Sequence, residues 1–242
     1  MTPELPLGEK VDWTGAQAPS RTTLQGAYVL LRPVDALRDA DSLYAVSHPP
    51  EGDETIWTYL PDGPYDDPEH LRRMLASAET SADPLYFTIE RISDSRPLGL
   101  ASHLRIAPES GVIEIGHLWF GVPLRRTTAA TEAIYLLARH AFDDLGYRRL
   151  EWKCNSLSAA SRRAAERFGF SFEGIFRKHQ IVKGRNRDTA WYAITDEQWP
   201  VIRAGFQAWL SPENVTVHVA VWLGRILCGC REVCVCGGCK GC

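Results

Sequence analysis

No apolar run in this 242-residue chain reaches the ~20 residues needed to span a bilayer as a helix, so a membrane partner is not expected. An excess of positive charge is also missing. The net charge is −3, whereas a nucleic-acid binder depends on many phosphate-neutralising cations, so nucleic acid is not an expected partner either. The opening MTPELPLGEKVDW carries prolines and acids where a secretory leader needs a basic and then an apolar run. The expected compartment is therefore the cytoplasm. Cysteine is scarce over most of the chain: Cys154 stands alone until the C-terminal stretch, which holds the other six. What is present is 45% hydrophobic and 24% charged residues over a length that supports a full core, the profile of a single soluble domain with appendages.

Residues 1–24, rich in Pro, Thr, Gly and Gln, read as an irregular lead-in, and residues 25–210 as the domain. AYVLLRPV is a strand closed by proline, and Asp35 is placed to cap the helix after it. A loop-rich connector, SHPPEGDETIWTYLPDGPYDDP, leads to a helix near Glu69 to Ser81. LYFTIERI, PLGLASHLRI and GVIEIGHLWFGV are three successive strands parted by turn signals at SDSR and PESG. After a central helix come the strand RRLEWKC, a helix from Ser158 to Phe168, a hairpin turning at KGRN, and a last helix from Asp196 to Leu210. Strand meanders with interposed helices predict a mixed α/β layer fold: a central mixed sheet of about seven strands with helices on both faces.

The segment from Val112 to Gly174 carries the chemistry. The strand GVIEIGHLWFGV stops at Pro123, which has no amide proton for a ladder. LRRTTAATEAIYLLARHAF then opens with small and hydroxyl residues and continues with apolar positions at three-to-four spacing, the pattern of a half-buried helix. Its start offers unpaired amides and a positive dipole end beside Arg125 and Arg126, which suits a phosphate group. This segment resembles the GCN5-related N-acetyltransferase (GNAT) family, in particular its branch acting on ribosomal-protein N-termini (RimJ/RimL-like). The family's loop Q/R-x-x-G-x-G/A falls on Arg125, Thr128 and Ala130, with Thr128 in place of glycine. Ser161, followed by Gly169-Phe170 and Glu173-Gly174, is similar to the family's S-x7-G-F-x-x-E-G; Ser158 stands where asparagine is common, with Asn155 further upstream.

The resemblance implies acetyl-CoA as co-substrate, no metal, and an amine acceptor, either a peptide or protein N-terminus or a small molecule. It implies that the fourth of the seven strands, Ile113 to Phe120, splays from the fifth, Leu150 to Cys154, with the pantetheine arm in the gap. Strand groups left without partners are costly unless something pairs them, and an extended diamide does so like an added strand. Leu118, Trp119 and Phe120 would then contact the arm, and an amide between His117 and Phe120 would meet the thioester oxygen. Arg125, Arg126, Thr127, Thr128, Ala129, Ala130 and Thr131 would cradle the phosphates, with Asn155, Ser158 and Arg162 on the other side of the gap. An ordinary central strand is the plain alternative, and a solvated face is the plain meaning of the arginines.

Acyl transfer needs a neutral nucleophile, so a group must accept a proton. Glu114, His117 and Ser161 are the catalytic candidates, and Glu114 is the first choice as base because a carboxylate in an apolar strand is expensive to bury without a task or a partner. The alternative for Glu114 is an ion pair with Arg105 or Arg148; for His117 it is a satisfied sheet histidine. Strict alternation puts Glu114, Gly116, Leu118 and Phe120 on one face and Ile115, His117 and Trp119 on the other. Glu114 and His117 are thus not expected to face the acceptor together. Trp57 and Tyr59, large apolar groups in a polar connector, are candidates for the acceptor pocket or anchors for a loop. Cys154 has no evident base partner, which speaks for direct attack in a ternary complex without a covalent enzyme intermediate.

Residues 211–242 lie outside the resemblance. Their cysteines are spaced C-x-C-x3-C-x-C-x2-C-x2-C, compatible with a thiolate metal cluster but with no four-ligand zinc pattern. The abrupt change of composition reads rather as an artefact of the gene model. A monomer or homodimer is expected. The competing function is a binding or regulatory module that keeps the fold and CoA but lacks catalysis.

Overall fold

The computed structural model describes residues 5–214; the cysteine-rich run from Val215 onward, and with it the question of a thiolate cluster, lies outside the described residues. Eight strands form one sheet in the order β1-β2-β3-β4-β5-β6-β8-β7. They are β1 (Leu24–Gln25), β2 (Val29–Pro33), β3 (Leu85–Arg91), β4 (Arg96–Ala107), β5 (Val112–Phe120), β6 (Arg149–Asn155), β7 (Ser171–Val182) and β8 (Arg185–Thr195). The helices are α1 (Ala36–Ser47), α2 (Pro68–Thr80), α3 (Thr128–Arg139), α4 (Ala159–Arg167) and α5 (Trp199–Leu210). The strand beyond the seven anticipated is β1, two residues long, which pairs Leu24 with Leu31.

Local chemistry explains the helix starts. Asp35 accepts from the Arg38 amide at 3.0 Å, and Asp67, ahead of Pro68, accepts from His70 at 2.7 Å. Thr127 Oγ1 accepts from the Ala130 amide at 3.2 Å and donates to the Leu124 carbonyl at 2.7 Å. These bonds fix where α1, α2 and α3 leave their loops.

Helices α1 and α2 cover one sheet face, where Asp39 of α1 bonds Thr88 of β3. The other face carries α3, which runs on into a π turn (His140–Asp144) where His140 stacks on His103 of β4, and α4, where Ser161 meets Trp152 of β6. Ile134, Leu136 and Leu137 of α3 are almost fully buried, each worth about 1.5–3 kcal/mol relative to exposure. Glu132, on the same helix, accepts from the amides of Ala27, Tyr28 and Val29 at 2.8, 2.6 and 2.9 Å. A Cβ on Gly26 would lie 2.3 Å from that carboxyl, so the turn before β2 needs glycine.

Among the described strands, only β5 and β6 run parallel. Their pairing covers Val112–Arg149 to Ile115–Trp152 and then stops, while β5 continues to Phe120. The gap anticipated between these two strands is therefore present, and α3 starts at its mouth.

Candidate functional site

At the point where β5 parts from β6, strand alternation breaks. Leu100 pairs with Trp119 and Ser102 with Gly116, so β5 carries one extra residue there, and His117 has a left-handed φ of 43°. The bulge overturns the alternation drawn from the sequence. His117 turns onto the α1–α2 face, where its Nδ1 lies 3.1 Å from Ser102 Oγ and its ring 5.1 Å from Tyr86. Ile115, opposite His103, stays on the α3 face. Glu114, His117 and Trp119 thus share one face.

His117 has a defined tautomer. The Ser102 hydroxyl donates to the Gly116 carbonyl at 3.0 Å, which leaves it to accept from His117 Nδ1–H and puts the basic lone pair on Nε2. Burial holds the His117 pKa below the ordinary imidazole value, so the ring is neutral near pH 7. Glu114 is the opposite case. It is 3% exposed and accepts from Arg105 at 2.6 Å and Lys153 Nζ at 2.9 Å. Lys153 also pairs with Glu151 at 2.6 Å and lies 3.8 Å from the centroid of the Trp191 ring. Two cations thus give this buried carboxylate its partners. Of the readings open for Glu114, the Arg105 pair is the one observed.

Beside His117 lies a cavity with about 280 Å³ of empty space, partly open to solvent. Trp57, Tyr65, Tyr86 and Trp119 wall it, with Asp62 at the connector. Trp57 is 5.2 Å from both Tyr65 and Trp119. Gly63 closes the turn at φ 62°, and a Cβ there would lie 2.5 Å from the Trp57 ring. The connector is pinned at two places. Arg125 Nη1 donates to Asp53 at 3.0 Å, and Lys183 Nζ, from the tip of the β7–β8 hairpin, donates to the carbonyls of Trp57 and Asp62 at 2.7 and 2.9 Å. Asp53 is held down to about 2, first by its bonds to Thr55 and then by Arg125.

The start of α3 is a row of donors. Among the described residues, the amides of Arg126, Thr127, Thr128 and Ala129 make no hydrogen bond. Arg126 takes a left-handed φ of 62°, and Arg125 Nε donates to the Phe120 carbonyl at 3.1 Å. Ala129, Ala130 and Thr131 are buried, and Thr131 Oγ1 accepts from Arg167 of α4. Leu118 packs against the core.

Across the gap, Asn155 Oδ1 accepts from the Leu157 amide at 3.0 Å, and Ser158 is buried in the turn into α4. Ser161 Oγ accepts from Trp152 Nε1 at 3.0 Å, and Arg162 Nε donates to Tyr192 Oη at 3.1 Å. Ser161 and Arg162 are thus engaged with β6 and β8 and are not grouped with His117. Trp57 is in the cavity wall; Tyr59 is 37% exposed and does not line it. Cys154 is buried, which pushes its thiol pKa up and away from nucleophilic use.

Sequence reading missed Asp62, Tyr65, Tyr86, Lys153 and Lys183. Tyr86 alternates toward the α1–α2 face beside Phe87, a signal available in β3. No local pattern marks the others, because each acquires its place through a distant partner. Among the described residues there is no cluster of three or more His, Cys, Asp or Glu that could hold a metal ion, and no helix is long and apolar enough to cross a membrane.

A mixed sheet with one parted parallel pair, and a helix of free amides at the parting, defines a class of α/β transferase fold. Residues 29–171 match the acetyltransferase (GNAT) domain family. The chain belongs to the GNAT acetyltransferase family. Its structure is similar to a GCN5-related N-acetyltransferase from Brucella melitensis, with 44% identity, TM-score 0.80, and coverage of 84% of this chain and 91% of that one. It is also similar to a probable GNAT-family acetyltransferase from Chromobacterium violaceum, at 38% identity, TM-score 0.73, and coverage of 83% and 98%. The microcin C7 self-immunity acetyltransferase MccE, solved with acetyl-CoA and AMP, shares the fold at 18% identity and TM-score 0.58 over 70% of this chain and 93% of that one. No curated protein matches the chain.

Proposed function

We propose that this protein is an acetyl-CoA-dependent N-acetyltransferase that moves the acetyl group to a primary amine by direct attack in a ternary complex. The carrying observation is that β5 loses its partner after Ile115 at the bulge that turns His117 into the aromatic cavity, with α3 beginning at the same mouth. The residues fit the co-substrate. Strand groups beyond Ile115 lack a neighbour on the β6 side and are suited to an extended amide chain. The free amides of residues 126–129, at a helix N-terminus, and Arg125 are suited to phosphate. A peptide N-terminus, as in the ribosomal-protein branch, and a small amine are both chemically admissible acceptors at this level.

His117 is the proposed base. As the amine nitrogen bonds the acetyl carbon and the carbon–sulfur bond breaks, His117 Nε2 takes the nitrogen's proton; CoA leaves as thiolate and is protonated on release. A backbone amide in the unpaired part of β5 supplies the donor for the carbonyl oxygen. Cys154, buried and with a raised pKa, takes no part. The test is calorimetric titration with acetyl-CoA followed by a CoA-release assay over an amine panel. Saturable binding and amine-dependent release are expected; absence of acetyl-CoA binding at millimolar concentration would sink the reading.

A further inference from the structure

Three features of the aromatic cavity constrain what it accepts. Its walls are Trp57, Tyr65, Tyr86 and Trp119, and among the described residues the buried Trp57 Nε1 and Tyr65 Oη have no hydrogen-bond partner. Buried polar atoms of this kind are normally satisfied, so a hydrogen-bonding group bound beside them would be favoured. The Asp62 side chain, unlike that of Asp53, makes no hydrogen bond or ion pair among the described residues, although its charge is felt by His117, Tyr65 and Tyr86. Lys183 also feels this charge but makes no ion pair with the carboxylate, which beside aromatic faces favours an organic cation and disfavours an anion. Finally, Lys183 reaches over from the β7–β8 hairpin to the Trp57 and Asp62 carbonyls, so two walls of the cavity are clasped together.

Building on the acetyl-transfer reading, we infer that the acceptor is a small primary amine with an uncharged, largely apolar or aromatic body, received as its ammonium ion by Asp62 and enclosed beneath the Lys183 clasp. The aromatic walls, not the size of the space as it stands, select for an apolar or aromatic body, and Trp57 and Tyr65 would have to part to admit it. An amine carrying a carboxylate would set that charge against Asp62. An extended peptide would have to open the clasp. Asp62 is a binding residue here: the ammonium first gives one proton to solvent to become the neutral nucleophile, and the second goes to His117 as nitrogen bonds the acetyl carbon and the thiolate leaves.

The experiment compares phenylethylamine with phenylalanine, which adds one carboxylate, and with a hexapeptide bearing an N-terminal phenylalanine, all at saturating acetyl-CoA. Phenylethylamine is expected to exceed both in kcat/KM by roughly tenfold or more. Asp62→Asn should raise its KM by roughly tenfold or more while kcat falls by no more than about threefold, and Asp62→Glu should recover most of the loss. The same weakening should appear in calorimetric binding of phenylethylamine to the full chain loaded with CoA. The Asp62 side chain is exposed and bonds nothing described, so the variant should fold. Preference for the hexapeptide, or an Asp62→Asn enzyme with unchanged KM and unchanged amine affinity, overturns the inference. Tight Asp62-dependent amine binding without any acetyl transfer would support the amine site and overturn the catalytic reading on which it was built.

Discussion

Arg105 Nη1 lies 2.6 Å from Glu114 Oε2, and Lys153 Nζ reaches the same oxygen from the other side at 2.9 Å. Held between two cations, Glu114 joins β4, β5 and β6 at the place where the last two strands begin to part. A buried ion pair of this kind makes Glu114 a fixed anchor for the gap.

Glu114→Gln should therefore cost stability more than turnover. Arg105 is half exposed and can turn to water, and Lys153 keeps Glu151, so a loss of about 1–3 kcal/mol is expected in urea unfolding. Turnover of the folded variant should remain within about tenfold of the parent. A loss of a thousandfold at unchanged stability would return Glu114 to the role of base.

Arg125 ties the start of α3, the proposed phosphate seat, to the connector that walls the aromatic cavity through Asp53. Arg125→Glu places a negative charge against both Asp53 and the phosphates, and acetyl-CoA affinity should drop by roughly tenfold or more. Asp53→Asn removes the protein partner and leaves the arginine, so affinity should stay the same or improve. Equal weakening in both variants would show that Arg125 acts only by holding the connector.

The α3 start was legible because its signals are local: a capping threonine, small residues, two arginines and a proline that ends the strand. The strand order around the gap was legible from periodicity and turn residues, and the family motifs lie within the same segment. The bulge was not. Nothing in GHLWF states that a histidine takes a left-handed φ, since that conformation is imposed by the mismatch between β4 and β5. Period-two counting consequently placed His117 on the face opposite Glu114, whereas the two share one face. The cavity was only half legible, because Lys183 and Trp57 are 126 positions apart and their meeting depends on where a hairpin tip lands.

Stability should depend on pH through His103, which is fully buried on β4 and whose pKa is pushed down to about 3, first by burial and then by the nearby His140. The unfolded chain binds a proton at about pH 6.5 and the folded chain does not. More protons bound in the unfolded state means that stability is complete above about pH 6.5 and is lost as pH falls toward 3, at up to about 1.4 kcal/mol per pH unit for this one group. His103→Phe keeps a ring beside Phe87 and removes the titration. Its urea midpoint should fall less steeply between pH 7 and 5 than that of the parent; parallel curves would rule His103 out as the source.

The decisive variant is at His117. Substitution by Gln retains a polar side chain that can still bond Ser102 but cannot carry the amine's proton at neutral pH. A fall in kcat of about 10²–10⁴-fold is expected, with acetyl-CoA affinity nearly constant because the phosphate seat proposed above is on α3. The pH profile separates a chemical role from a packing role. Burial keeps the His117 pKa below the ordinary value, so kcat/KM for the parent should hold its acid limb below about pH 6.5, where protonation of Nε2 removes the base. In His117→Gln that limb should vanish, and the residual rate should climb with pH as more of the amine becomes neutral. A variant that is slow but retains the same acid limb would place the titrating group elsewhere and leave His117 as a wall of the cavity alone.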